Sequence, residues 1–309
     1  MEKLLPEKKD FEEYEKIIHE QPQNYIRCNT LKIPIEKLLE KLKNKGWKII
    51  QPFKDYPEIF IIDSDLKPGE LGNAIEHLLG YYYIQEISSM LPPIALNPEP
   101  NELVLDICAS PGSKTTQMAA MMKNQGTILA NDLKIDRIKI LSSNLERCGV
   151  TNTIITRKDA IGLCATLSKS NFPKFDKILL DTPCSGEGTL RSSPKTFLMW
   201  NQKVIKKFSR QQKKFMAFAL KCLKKNGTLV YSTCTHAPEE NEEILDFAIK
   251  NFPVKIETIK LPLKCRPGIT EWKDKPYNKN VAKTCRIYPQ DNDSEGFFVS
   301  KITLLEEIK

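Results

Sequence analysis

Four times between residues 103 and 181 a short apolar run of strand-favouring residues ends at or just before an aspartate. Leu103 to Ile107 carries Asp106, Thr127 to Asn131 leads to Asp132, Thr153 to Thr156 precedes Asp159, and Lys177 to Leu180 runs into Asp181. The intervening Thr116 to Lys123 and Lys134 to Cys148 read as helices, and a fifth strand, Gly227 to Ser232, is followed by a helix starting near Glu239. Strands alternating with helices have few packed solutions. They predict a Rossmann-like α/β fold, a mostly parallel sheet with helices on both faces. Val254 to Ile259 and Gly296 to Ile302 are expected to form an antiparallel edge pair.

Upstream the pattern differs. Residues 1 to about 20 read as a charged amphipathic helix, and Tyr25 to Leu31 as a strand. Ile35, Leu38, Leu39 and Leu42 recur at helical spacing before Gly46, and Lys48 to Ile50 and Ile59 to Ile62 are two more short strands. This order predicts a small α+β N-terminal module, residues 1–75, before a larger domain, residues 76–309. Tyr81, Tyr82 and Tyr83 suit a strand packed on both faces, with base stacking as the alternative.

The 47 Lys and Arg against 39 Asp and Glu give a net charge of +8, which favours an anionic partner. No apolar stretch reaches membrane length and the N-terminus is charged from its second residue, so a cytoplasmic protein without a membrane partner is expected. The nine cysteines are odd in number, irregularly spaced and without a Cys-x-x-Cys pair. Reduced thiols are expected, with neither a disulfide framework nor a bound metal.

Aspartates along the carboxyl edge of one sheet, beside the small-residue loop Cys108-Ala109-Ser110-Pro111-Gly112-Ser113-Lys114-Thr115, read as a nucleoside-type cofactor site. The loop has neither the dinucleotide fingerprint nor the phosphate cradle, which disfavours a pyrophosphate and favours S-adenosylmethionine. Two thiols stand at strand ends as well, Cys184 in Asp181-Thr182-Pro183-Cys184-Ser185-Gly186 and Cys234 in Ser232-Thr233-Cys234-Thr235. If their strands are neighbours, both thiols and Asp181 share one cleft. That set suits methylation of cytosine C5. A thiolate adds to C6, the resulting enamine attacks an electrophilic methyl group, and loss of the C5 proton lets the thiolate leave; a carboxyl group at N3 offsets charge on the ring. The residues alone do not assign the two thiols.

Asp106 to Thr115, Asp181 to Gly186 and Ser232 to Thr235, in this order, resemble the RNA cytosine-5 methyltransferases of the NOP2/Sun (NSUN) type. Asn29-Thr30-Leu31-Lys32, Gln85-Glu86 with Ser88-Ser89, and Gly296-Phe297-Phe298 extend the resemblance to about residues 25 to 302. The resemblance implies that Cys234 is the nucleophile, that Cys184 assists release, and that Asp181 contacts N3. It implies that Cys108 to Lys114 hold the methionine part of S-adenosylmethionine, Asp132 the ribose and Asp159 the adenine, with Asp181, Arg137 and Lys114 as further contacts. Two departures stand out: Ser110 and Ser113 where the family loop usually has Ala and Gly, and Gln290 after Pro289 where many relatives have His.

Between Gly188 and Pro238 there is no Asp or Glu, but eleven Lys and Arg. Arg191, Lys195, Lys206, Lys207, Arg210, Lys213 and Lys214 are expected to meet RNA phosphates, with Arg266 from a long basic insertion at 260–286 expected as an RNA-shaping loop. The compact chain resembles the archaeal tRNA members most, so a monomer acting on tRNA is expected. Ribosomal RNA is the second substrate reading, and an RNA-binding assembly factor without activity is the rival from another class.

Overall fold

The computed structural model describes residues 1–308. Helix α1 (Lys8–Ile17) leads into a four-stranded antiparallel sheet with β1 (Asn24–Cys28), helix α2 (Ile35–Asn44), β2 (Ile49–Ile50) and β3 (Ile59–Ile62). Two single-turn helices, α3 (Glu70–Asn73) and α4 (Ile75–Leu78), precede β4 (Tyr82–Ile84). The sheet order is β2-β3-β1-β4. The tyrosine strand β4 thus completes the N-terminal sheet, which a boundary after residue 75 would cut. Tyr82 and Tyr83 are buried and the Tyr82 hydroxyl donates to the Leu71 carbonyl at 2.6 Å, so this strand is packing, as the both-faces reading expected. The module's core is Ile26, Leu38, Leu42, Trp47, Phe60 and Tyr82.

Helix α5 (Ile87–Leu96) opens the larger part, whose N-cap Glu86 accepts from the amides of Ser88 and Ser89. There follow β5 (Leu103–Asp106), α6 (Ser113–Met121), β6 (Thr127–Asp132), α7 (Ile135–Arg147), β7 (Thr153–Arg157), α8 (Ala160–Lys169) and β8 (Phe175–Asp181). Helices α9 (Lys195–Met199) and α10 (Gln202–Cys222) then lead to β9 (Leu223–Thr233), α11 (Glu242–Asn251) and β10 (Val254–Glu257). The strands β9, β8, β5, β6 and β7 are parallel neighbours in that order. On the β9 side lies antiparallel β15 (Phe297–Leu304), which pairs at its far edge with β10, as expected.

Alternation along the buried strands serves both faces. Leu105, Ile178, Leu180, Leu229 and Tyr231 pack with Phe215, Met216 and Leu220 of α10 and Leu245 of α11. Val104, Ile128, Leu179 and Val230 pack with Met90 and Leu91 of α5 and Met118 of α6. Both layers are close-packed hydrocarbon, and this burial is the main stabilising term of the fold.

The module is fastened to the sheet by buried polar side chains. Arg27 donates to Gln85 Oε1 at 3.0 Å, to the Ser113 carbonyl at 3.2 Å and to Thr116 Oγ1 at 2.9 Å. Asn29 Nδ2 donates to the carbonyls of Gly80 and Cys148, both at 2.8 Å. Lys32 Nζ reaches the carbonyls of Leu79 and Arg147. The Asn29 to Lys32 motif is therefore a docking device between the two parts.

The 260–286 insertion corrects an expectation. It is folded rather than a loop: β11 (Arg266–Pro267), the hairpin β12 (Glu271–Trp272) and β13 (Lys275–Pro276), and β14 (Cys285–Ile287), which pairs with β15. Acidic partners on α11 and before it hold it down. Arg286 is 2 % exposed and forms a two-bond pair with Glu242, and Trp272 Nε1 donates to Glu239. Lys264, Arg266, Lys273, Lys275 and Arg286 of this segment are held in ion pairs with Asp or Glu. Among the described residues no helix is long and apolar enough to cross a membrane, and no group of His, Cys, Asp and Glu could hold a metal ion.

Candidate active site

Strands β8 and β9 run parallel with Asp181 opposite Ser232, and the ladder continues one step as Thr182 N donates to the Ser232 carbonyl at 3.1 Å. Beyond it both chains turn, and the turns bring Cys184 Sγ to 3.2 Å from Cys234 Sγ. The two strand-end thiols do overhang one cleft. Backbone clamps them there: Gly188 N donates to the Cys234 carbonyl at 2.9 Å and Gly296 N to the Gly188 carbonyl at 2.8 Å. A Cβ on Gly188 would lie 2.1 Å from the Gly296 oxygen, and one on Gly296 would lie 2.2 Å from His236 Nε2. Neither approach leaves room for a side chain. The Gly-Phe-Phe motif near the C-terminus thus owes its glycine to the shape of the Cys234 turn.

Asp181 is held from two sides. Ser232 Oγ donates to Oδ1 at 2.7 Å, and Lys114 Nζ, from the first turn of α6, lies 2.9 Å from Oδ2. Lys114 also donates to Ser89 Oγ at 2.9 Å. The Cys184 thiol is pushed well above its ordinary value, first by its hydrogen bond to the Cys234 sulfur and then by burial. Either sulfur can be the donor in this contact. Asp106, at the end of β5, is pushed up to about 7 by burial and by nearby Asp181 and Asp132, against the opposing hydrogen bond from Thr115 Oγ1.

The small-residue loop closes around the β5–α6 junction. Ala109 N donates to the Asn131 carbonyl, Ser110 N to Asp132 Oδ2 at 3.3 Å, and Ser110 Oγ to the Arg137 carbonyl at 2.8 Å. The serine hydroxyl thus has a structural partner. Gly112 has φ +103, and its Cβ would meet Leu141 Cδ1 at 3.0 Å. Arg137 Nε lies 3.0 Å from Asp132 Oδ2 while its Nη2 donates to the Ser110 carbonyl. Asp159 caps α8 through Gly162 N at 2.9 Å. Cys108, Ala109, Ser110, Pro111, Gly112, Ser113, Lys114, Asp132, Arg137 and Asp181 are all brought to one end of the sheet, and Asp159 follows β7 at the same edge. The donor set fits S-adenosylmethionine, which carries a sulfonium and an ammonium: four carboxylates, two of them buried, stand at this edge beside a loop of small residues.

The basic residues divide. Lys206, Lys207, Arg210 and Lys214 line one open groove of α10 together with Lys203. Lys195 is exposed on α9. Arg191 is a correction: it is 5 % exposed, and its guanidinium donates to the carbonyls of Glu20, Gln21 and Ser294 and to Asp293. A guanidinium so surrounded bonds segments of the chain rather than phosphate. Arg266 is likewise bound to Asp10 and Asp291, and Lys213 Nζ lies 2.6 Å from Glu243. Acidic partners far away in sequence took these cations, and no local pattern signals that.

Sequence reasoning passed over Glu240 and Gln212, which lie beneath the Cys184 turn. Gln212 Nε2 donates to the Pro183 carbonyl at 3.0 Å and to Glu240 Oε2 at 2.9 Å, and Ser185 N donates to the same oxygen at 3.2 Å. The one available signal was a polar Gln on the apolar stripe of α10, where it is fully buried.

The profile of the 16S rRNA methyltransferase RsmB/F family matches residues 93–303, and that of the N-terminal domain of 16S rRNA methyltransferase RsmF matches residues 1–87. A tRNA (cytosine(49)-C(5))-methyltransferase of Pyrococcus abyssi is 42% identical over 293 residues, which are 95% of this chain and 92% of the relative. Ribosomal RNA small subunit methyltransferase F of Psychromonas ingrahamii is 39% identical over 97% of this chain, which spans only 60% of that protein. Among solved structures, a methyltransferase homolog from Pyrococcus horikoshii superposes with a TM-score of 0.82 at 33% identity, covering 95% of this chain and 90% of that one. NSun6 from the same organism, solved with SFG, superposes with a TM-score of 0.83 at 26% identity over 97% of this chain and 95% of its own. By sequence, fold and the paired thiols at the ends of β8 and β9, the chain belongs to the RsmB/F (NOP2/Sun) family of S-adenosylmethionine-dependent RNA cytosine-5 methyltransferases.

Proposed function

We propose that this chain forms 5-methylcytosine in tRNA, with Cys234 as nucleophile, Cys184 assisting release and Asp181 contacting the base. The observation that carries the reading is the thiol pair, 3.2 Å apart beside an Asp181 already oriented by Lys114 and Ser232. S-adenosylmethionine supplies an electrophilic methyl group on sulfonium sulfur. The chain's own residues do the rest. The Cys234 sulfur bonds to C6, and the displaced π-electrons make C5 the nucleophile that takes the methyl group. A base removes the C5 proton, the C5–C6 double bond re-forms, and the sulfur leaves; the Cys184 thiol, one hydrogen bond away, protonates or solvates it. Asp181 keeps spare lone pairs on both oxygens after its two contacts, enough to accept from a protonated N3.

Cys108 to Lys114, Asp132, Arg137, Asp159 and Asp181 are assigned to the cofactor, and Lys195, Lys206, Lys207, Arg210 and Lys214 to RNA phosphates. The tRNA preference is supported by the Pyrococcus abyssi relative, which this chain covers over 92% of its length, against 60% of the ribosomal one. The reading includes a cytoplasmic monomer. Purified protein is given labelled S-adenosylmethionine with unmodified tRNA or with small-subunit ribosomal RNA, and 5-methylcytosine is mapped. Label at one or two tRNA cytosines supports the proposal. Label on ribosomal RNA alone replaces the substrate, and label on neither removes the enzymatic reading.

A further inference from the structure

Beneath the thiol pair lies a carboxyl group that the reaction above does not use. Glu240 is fully buried, and its Oε2 accepts from Ser185 N and from Gln212 Nε2. Its backbone carbonyl accepts from the Tyr231 hydroxyl at 2.5 Å. The two remaining oxygens, Glu240 Oε1 and Gln212 Oε1, are buried and neither has a donor. The orientation of the Gln212 amide is not in question, because Nε2 donates to the Pro183 carbonyl, which can only accept. A bonded acid and amide with one orphan oxygen each lack one thing, a proton. On Glu240 Oε1 it would turn that oxygen into a donor, which is what Gln212 Oε1 lacks.

We propose that Glu240 works as a neutral acid, its proton shared with Gln212 in a two-bond acid–amide pair. In this form it is a positioning residue that fixes the Cys184 turn without setting a negative charge beside the thiols. The titratable groups that face it are Cys184 and Glu187 from the chain after β8 and Tyr231 from β9; from α10 it meets Gln212, which is uncharged. None is a cation, so an ionised Glu240 would be a buried charge without a counterion. Burial and Glu187 indeed push Glu240 up to about 7, and an ionised Glu240 pushes the Cys184 thiol further up. A carboxylate here would set a negative charge beside Cys184, whereas the neutral acid holds the same turn without it.

The inference rests on the proposed role of the thiols, but its test needs neither RNA nor cofactor. Iodoacetamide alkylation of Cys184 and Cys234 is followed by peptide mass spectrometry from pH 5.5 to 9 in the wild type, Glu240→Gln, Glu240→Ala and Gln212→Leu. Glu240→Gln, a permanently neutral isostere, is expected to match the wild type at low pH and to alkylate roughly threefold faster above pH 8, where the wild-type carboxyl ionises. In methyl transfer Glu240→Gln should rescue most of the kcat that Glu240→Ala and Gln212→Leu lose, with KM for RNA little changed in all three. Superimposable alkylation profiles for the wild type and Glu240→Gln overturn the proposal, because a merely structural side chain would not move them. A Glu240→Gln protein that is folded but as inactive as Glu240→Ala overturns it too, since the ionised form would then be the working one.

Discussion

Arg286→Met is the perturbation whose cost can be worked most directly from the structure. Arg286 and Glu242 are buried with side-chain exposures of 2% and 0%, joined by Nε to Oε1 and Nη2 to Oε2 bonds of 2.6 Å each. Arg286 Nη1 also donates to the His236 carbonyl at 3.0 Å, two residues beyond Cys234. Removing the guanidinium leaves Glu242 buried without its counterion and frees the His236 carbonyl. Breaking a buried pair from one side costs about 3–5 kcal/mol. For a domain of this size that lowers Tm by roughly 6 to 20 °C. The double variant Arg286→Met/Glu242→Leu removes both charges and should recover most of the loss. It should keep a deficit of about 1 kcal/mol or more, because Ile269 N, which donates to Glu242 Oε1 at 3.1 Å, loses its acceptor. Urea denaturation followed by circular dichroism measures all three. A single variant destabilised by less than about 1 kcal/mol, or a double variant no better than the single, would refute the reasoning.

Gly188→Ala and Gly296→Ala each set a Cβ within 2.2 Å of a neighbour, so both should lose methyl transfer at least tenfold while retaining the circular dichroism of the fold. Replacing Lys206, Lys207, Arg210 and Lys214 together should weaken RNA binding and flatten its dependence on salt concentration by about 4 in slope, whereas Arg191→Ala should lower stability and leave the slope alone. Stability should rise as the pH is lowered from about 7 towards 5. Asp106 and Glu240, whose folded values are raised to about 7, contribute stability that is full below their unfolded values and lost as pH rises through 7. Buried His236, lowered to about 3, acts in the opposite sense and is outnumbered; a urea midpoint that falls steadily between pH 7 and 5 would contradict this balance.

The parallel sheet was legible because hydrophobic runs ending in Asp106, Asp132 and Asp181 can pack in few ways, and the shared cleft of Cys184 and Cys234 followed once β8 and β9 were neighbours. The basic run carried by α10 was legible as a long stretch of Lys and Arg without Asp or Glu. The fate of individual cations was not. Arg191 and Arg266 read as phosphate ligands until Asp293, Asp10 and Asp291 met them in space. The strand Tyr82–Ile84 looked like the start of the second domain because its partner β1 lies more than fifty residues upstream. Glu240 stayed hidden for a similar reason: a glutamate beside Glu239 and near Glu242 reads as a solvated charge, and only the turn folded over it makes it a buried acid.

The central claim is that Cys234 is the sulfur that bonds to cytosine. Cys184→Ala and Cys234→Ala proteins are each incubated with tRNA and S-adenosylmethionine, run on a denaturing gel, and any protein–RNA adduct is digested and its nucleotide-bearing peptide identified by mass spectrometry. Cys184→Ala is expected to accumulate an adduct whose nucleotide sits on the Cys234 peptide, and Cys234→Ala to form none. An adduct in Cys234→Ala, carried on Cys184, would reverse the two roles and contradict the account.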